Sequence, residues 1–88
     1  MKVLKFGAIW CSACLVMNPR WEEIEKLFPG LETETFDVDE RRDLVEQYKL
    51  EDFPAFLFLD KEGREFKRFY GEVDKKELVG FIEENKDK

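Results

Sequence analysis

The chain has 88 residues, with 15 Lys plus Arg against 21 Asp plus Glu, no His, and a net charge of −6. The acidic balance speaks against nucleic acid as a partner, since nothing in it drives counterion release from phosphates. The missing imidazole removes Ser-His, Cys-His and His-metal chemistry together.

Hydrophobic residues make up 43% of the chain and nine residues are Phe, enough for one small packed core over residues 1–88 rather than a disordered chain. Lys2 to Gly7 reads as the first strand. Val3, Leu4 and Phe6 make a nearly continuous apolar run, which suits a strand covered on both faces, and Lys5 is its one exception. From Cys11 the pattern turns helical: Cys14, Met17, Trp21, Ile24 and Phe28 are spaced 3, 4, 3 and 4. Pro19 lies inside this helix and removes the bond to the carbonyl of Leu15, so a kink is expected there. Pro29-Gly30 ends it. Thr33 to Val38 reads as a second strand, with Phe36 and Val38 on one face. Asp39 is placed to cap a short second helix that buries Leu44, Val45 and Tyr48.

A loop over Glu51-Asp52-Phe53-Pro54 leads into Ala55 to Leu59, five apolar residues that imply a strand buried on both faces. Asp60 to Gly63 is a hairpin turn, and Arg64 to Tyr70 is the more polar partner strand, nearer an edge. Gly71 breaks that strand. Asp74-Lys75-Lys76-Glu77 has the pattern of a capping box and opens a last helix that buries Leu78, Phe81 and Ile82. The order is β-α-β-α-β-β-α: an α/β fold with a right-handed βαβ unit followed by a hairpin and a helix.

The longest uncharged run, Phe6 to Pro19, has 14 residues and is too short to span a bilayer, which takes about 20. Reading it as a signal-peptide core would cost the fold a strand and the cysteines. No export signal is therefore expected, which points to the reducing cytosol (a cytoplasmic location) and against a lasting structural disulfide.

The only cysteines, Cys11 and Cys14, lie in Trp10-Cys11-Ser12-Ala13-Cys14, inside a stretch from Met1 to Arg20 that holds three bases and no acid. They fall where a buried strand meets a helix. At the N-cap, the Cys11 sulfur faces unpaired backbone N–H groups and the positive end of the helix dipole, and both favour thiolate over thiol. Cys14 lies one turn deeper on the same face, close enough to form a disulfide with Cys11 and more shielded. An exposed thiolate that attacks and a buried partner that resolves is an arrangement made for thiol–disulfide exchange. Two inert buried thiols would suit Cys14 but not Cys11. A zinc site needs four ligands, and the sequence offers no further Cys and no His.

With these residues in view, the sequence resembles the thioredoxin family. The likeness rests on Phe6-Gly7-Ala8-Ile9-Trp10-Cys11-Ser12-Ala13-Cys14, on Pro19 five residues after the second cysteine, and on Phe53-Pro54 before a buried strand. The Gly63 hairpin and Gly71 ahead of a capped last helix also match. It covers nearly the whole chain without the family's first strand and helix, and so implies a minimal thioredoxin-like fold of about glutaredoxin size: a four-stranded mixed sheet flanked by three helices, in strand order 2-1-3-4. By this resemblance Cys11 is the nucleophile and Cys14 the resolving thiol. Pro54 is a cis-proline facing the disulfide, and Trp10, Phe53, Pro54 and Gly71 contribute to substrate binding. The family's usual Gly-Pro between the cysteines is Ser12-Ala13 here. Its buried acid aligns with Lys5, the aromatic residue two positions after that acid with Gly7, and the Thr after the cis-proline with Ala55. Lys5 is then expected beneath the cysteines, where an ammonium favours thiolate, unless it only stretches over apolar surface to water.

The expected function is thiol–disulfide oxidoreductase activity on protein disulfides through the CxxC pair, in the reductase direction, with no metal or organic cofactor. The electron donor would be a thioredoxin-reductase-like protein or glutathione, no membrane partner is implied, and a monomer is expected. The alternatives are the same chemistry run as an oxidase or isomerase, or a redox-inactive or metal-bridged binding module.

Overall fold

The computed structural model describes residues 1–88. Four strands, β1 (Lys2–Gly7), β2 (Glu32–Asp37), β3 (Ala55–Leu59) and β4 (Glu65–Tyr70), form one sheet in the order β2-β1-β3-β4. Three helices, α1 (Ser12–Leu27), α2 (Arg42–Gln47) and α3 (Lys75–Glu84), complete the expected order. β1 and β2 are parallel, with Gly7 opposite Asp37. β3 runs antiparallel to β1, with Ala55 opposite Phe6, and β4 antiparallel to β3, with Tyr70 opposite Ala55. Gly7, Asp37, Ala55 and Tyr70 therefore share one end of the sheet. The connections at that end carry the cysteines.

Strands β1 and β3 lie in the middle of the sheet, so they need apolar side chains on both faces. On one face Val3, Phe56 and Phe58 pack with Met17, Trp21 and Ile24 of α1 and Leu78 and Ile82 of α3. Phe58 is fully buried and its ring meets Phe81 at 4.9 Å and Phe69 at 5.7 Å. A ring buried that completely contributes about 2–3 kcal/mol of transfer free energy. On the other face Leu4, Phe6, Leu57 and Leu59 pack with Leu44, Val45 and Tyr48 around α2 and, at the end of the sheet, with Cys11 and Cys14. The edge strands are polar, with Glu32 and Glu34 on β2 and Glu65, Lys67 and Arg68 on β4, which discourages edge-to-edge pairing. The hairpin between β3 and β4 turns at Gly63, whose φ of 79° is one a side chain would resist.

α1 is one continuous helix over Ser12–Leu27 with Pro19 inside it, and its buried residues Met17, Trp21 and Ile24 lie on both sides of the proline. Several local expectations are corrected. Asp39 does not cap α2: the N-cap is Arg41, with no side-chain cap bond, and Asp39 is engaged by Trp10 instead. Leu44, Val45 and Tyr48 are only half-buried, since one short helix covers that face. Asp74 is the N-cap of α3 but its side chain makes no capping bond, and Phe81 is half-buried.

Candidate functional site

The connection from β1 to α1 is four residues, Ala8 to Cys11, and it delivers Cys11 to the first helical turn. Cys11 is the N-cap of α1, in extended backbone with φ −96° and ψ 110°, and its Sγ accepts the backbone N–H of Cys14 at 3.2 Å. The cap that Ser or Asp usually provides is thus made by sulfur, and an N–H aimed at a sulfur stabilises its anion. No acid stands in the first turn of α1 to oppose this. Both residues are free thiols.

The expected contrast in exposure is not there. Cys11 is 7% exposed and Cys14 5%; both are buried in one cluster with Phe6, Ala8, Val38 and Ala55. The contrast is electrostatic. Burial pushes the Cys14 thiol up from 9.0 to about 11. The hydrogen bond with Cys11 adds to the rise, and a backbone N–H bond from Ala8 partly offsets it. At neutral pH Cys14 is a thiol beside a sulfur that accepts hydrogen bonds.

Cys14 also lines a cavity of about 40 Å³ with Lys5, Gly7, Asn18, Trp21, Thr35 and Pro54. A Cβ on Gly7 would stand 3.2 Å from the Cys14 sulfur, so the residue at this position sets how closely β1 approaches the thiol. Lys5 does share this space with Cys14, but its ammonium is turned along α1. It bonds Glu25 at 2.8 Å, which also accepts from Thr33, and lies 5.6 Å from the Trp21 ring. Eleven residues of helix separate Cys14 from Glu25, a rise of about 16 Å. With its ammonium held there, Lys5 is not among the causes of the Cys14 shift. The side chain of Lys5 is only 15% exposed, so it does not reach freely into water.

The Phe53–Pro54 peptide bond is cis. The Pro54 carbonyl accepts the N–H of Gly71 at 2.8 Å, and Gly71 has a φ of 78°. The structure therefore brings Phe53, Pro54, Gly71 and Cys14 to one end of the sheet. Trp10 is 63% exposed; its Nε1–H donates to Asp39 at 2.9 Å and its ring meets Phe53 edge-on at 6.2 Å. Pro54 is fully buried, so it adds nothing to the exposed apolar surface beside the cysteines. Ile9, 86% exposed, and Leu15, 62% exposed, contribute instead. Both escaped the sequence reading. The available signal was that Leu15 falls off the Cys14-Met17-Trp21 stripe and Ile9 lies in a loop, so neither had a core to enter. No group of three or more His, Cys, Asp or Glu side chains is arranged to hold a metal ion, and no helix is long and apolar enough to cross a membrane.

Residues 1–84 match the thioredoxin family model. The chain is 42% identical over 69 residues to an H-type thioredoxin of Fagopyrum esculentum, covering 78% of this chain and 59% of that protein. It is 36% identical over 84 residues to thioredoxin H7 of Arabidopsis thaliana, covering 96% of this chain and 64% of that one. It thus spans about three fifths of the length of these curated relatives. Among solved structures, thioredoxin 1 of Thermosipho africanus superimposes with a TM-score of 0.83 at 33% identity, over 96% of this chain and 92% of that one. Thioredoxin of Nicotiana alata gives 0.85 at 31% identity, over 94% and 70%. The sheet order, the three helices and the match along nearly the whole sequence agree: the chain has the thioredoxin fold and belongs to the thioredoxin family.

Proposed function

We propose that this chain is a thiol–disulfide oxidoreductase that reduces protein disulfides through Cys11 and Cys14. The observation that carries the proposal is the inequality of the two sulfurs. Cys11 Sγ accepts the Cys14 N–H at a helix N-terminus, while the Cys14 thiol is held protonated up to about pH 11.

In the reducing direction the Cys11 thiolate attacks one sulfur of a substrate disulfide. The substrate S–S bond breaks, its second sulfur leaves as a thiolate and takes a proton, and a mixed disulfide forms. Cys14 then gives up its proton and attacks the Cys11 sulfur. This forms the Cys11–Cys14 disulfide and releases the first substrate sulfur as thiolate. Two electrons have passed from the dithiol to the substrate. A thioredoxin-reductase-like protein or glutathione would return them.

Trp10, Phe53 and Gly71 are read as the surface on which the substrate segment lies, and the buried Pro54 as a residue that shapes it. Lys5 is read as a tuning residue. It is the one cation on the cavity shared with Cys14, and its ammonium is paired with Glu25. The direct test is reduction of insulin by dithiothreitol with and without the protein. Acceleration that disappears in Cys11→Ser is expected, and no acceleration by the parent would favour a binding module without redox activity. Of the alternatives, only the direction of electron flow needs a separate measurement. A reduction potential near −270 mV marks a reductase, and one near about −120 mV an oxidant.

A further inference from the structure

The connections at the cysteine end of the sheet, residues 8–11, 38–41, 48–54 and 71–74, carry six carboxylates and two cations. At the other end, residues 28–31 carry no charge and 60–64 carry two of each sign. The acidity of the chain is therefore gathered around the cysteines, although no acid lies between Met1 and Arg20.

Local cations cancel only part of it. Arg42 of α2 lies 4.0 Å from Asp39, and Arg20, reaching in from α1, is committed to Glu72 and the Val73 carbonyl. Of the two loop cations, Arg41 is committed to Asp43 through two bonds at 3.1 and 3.2 Å. Lys49 makes no ion pair, and neither do Glu40, Glu51, Asp52 and Asp74.

Inside this acidic rim the surface is apolar. Ile9, Trp10 and Leu15 are all more than half exposed. On the β2 side of the cysteines, Ile9, Leu15 and Phe36 line a groove of about 200 Å³, with Cys14 and Asp37 also on its wall. An apolar centre with a polar rim is the usual build of a protein-docking site. A second copy of this chain would bring the same acidic rim against itself. A partner with cations around an apolar side chain would not.

We infer that this face selects disulfides flanked by Lys or Arg, with an apolar side chain near the disulfide to enter the groove beside Ile9 and Leu15. The inference rests on the exchange activity proposed above. The charges steer the encounter, and the groove fixes which side of the cysteines the substrate occupies.

The test uses three peptides closed by the same disulfide and carrying the same Leu, flanked by two Lys, two Glu or two Ser. The rate of their reduction by the reduced protein is followed at about 10 mM and about 500 mM ionic strength, where screening lengths differ by roughly sevenfold. The Lys peptide should react about tenfold faster than the Glu peptide at low salt and within about twofold of it at high salt. In Glu40→Gln/Asp52→Asn, which keeps the Asp52 acceptor for the Phe53 N–H, that preference should fall by about threefold. Equal rates for the Lys and Glu peptides at low salt would overturn the inference. A preference indifferent to salt would do the same, as would a concentration-dependent dimer, seen by sedimentation, that slows all three peptides. A protein that reduces the Ser peptide without preferring Lys loses only this selectivity. One that reduces no peptide loses the exchange activity and the selectivity with it.

Discussion

Because the Cys14 thiol titrates near 11 in the folded protein rather than at its ordinary 9.0, the reduced form should lose stability between these two pH values. The raised pKa means that the fold prefers the neutral thiol. Below pH 9 both folded and unfolded chains hold the proton, and the full contribution is present. Between 9 and 11 the unfolded chain has lost its proton while the folded chain keeps it, so raising the pH favours unfolding. Two pH units correspond to about 2.7 kcal/mol, a large part of the 5–15 kcal/mol typical of a domain. The measurement is urea unfolding of the reduced protein at intervals from pH 8 to about pH 11, beside Cys14→Ala. The two proteins share every other ionisable group, so the difference isolates the thiol. Burial is the first cause of the shift and the bond to Cys11 the second, so reduced Cys11→Ala should keep the larger part of the pH dependence. The oxidised protein, with no thiol to ionise, should lack it. Parallel loss of stability in the parent and Cys14→Ala would refute the reasoning.

The mixed-disulfide step predicts that Cys14→Ser accumulates covalent adducts with disulfide substrates and Cys11→Ser does not; gel electrophoresis without reductant decides this, and equal trapping by both would remove the division of roles. Gly7→Ala should lower the urea midpoint by the equivalent of about 1 kcal/mol, because the 3.2 Å approach to the Cys14 sulfur outweighs the entropy that Ala removes from the unfolded chain; an unchanged or higher midpoint would show that the sulfur moves aside freely. Glu25→Gln should release the Lys5 ammonium toward the shared cavity and lower the Cys14 pKa by up to about one unit, and adding Lys5→Met should reverse it; thiolate absorbance titrations that do not move leave the pair a purely structural one. Phe58→Ala should cost about 3–5 kcal/mol in chemical denaturation, since the ring is fully buried among aromatic neighbours, and a loss below about 1 kcal/mol would mean the core collapses around the gap.

Periodicity made the fold legible, because each strongly apolar segment had one way to be buried. Ala55 to Leu59 has no polar position and is buried throughout, and the Cys14-Met17-Trp21-Ile24 stripe faces the sheet along its whole length. Where burial does not decide, the pattern said less. Asp39 has the composition of a helix cap, yet the exposed Trp10 indole uses its carboxylate, a contact between residues 29 apart that no local rule reports. The partner of Lys5 is Glu25 on α1, which the sequence offers only as one of many acids. At the candidate site, spacing placed Cys11 at the N-cap, but the assumption that a residue beside a loop is exposed failed. Here Cys11 is buried with Cys14 in the cluster at the end of the sheet. Ile9 and Leu15 were missed because an apolar residue outside a stripe reads as noise until the surface around it is known.

The two tryptophans occupy opposite environments: Trp10 is exposed beside the cysteines, and Trp21 is 2% exposed in the core. Their fluorescence should therefore separate without any introduced label. Trp21 should emit at shorter wavelength and lie beyond the reach of ionic quenchers until the protein unfolds. Trp10 should emit at longer wavelength and respond to anything that settles over Cys11. Because its indole is bonded to a carboxylate in an acidic rim, caesium should quench it more strongly than iodide. Docking and unfolding can then be followed in the same cuvette, one indole for each.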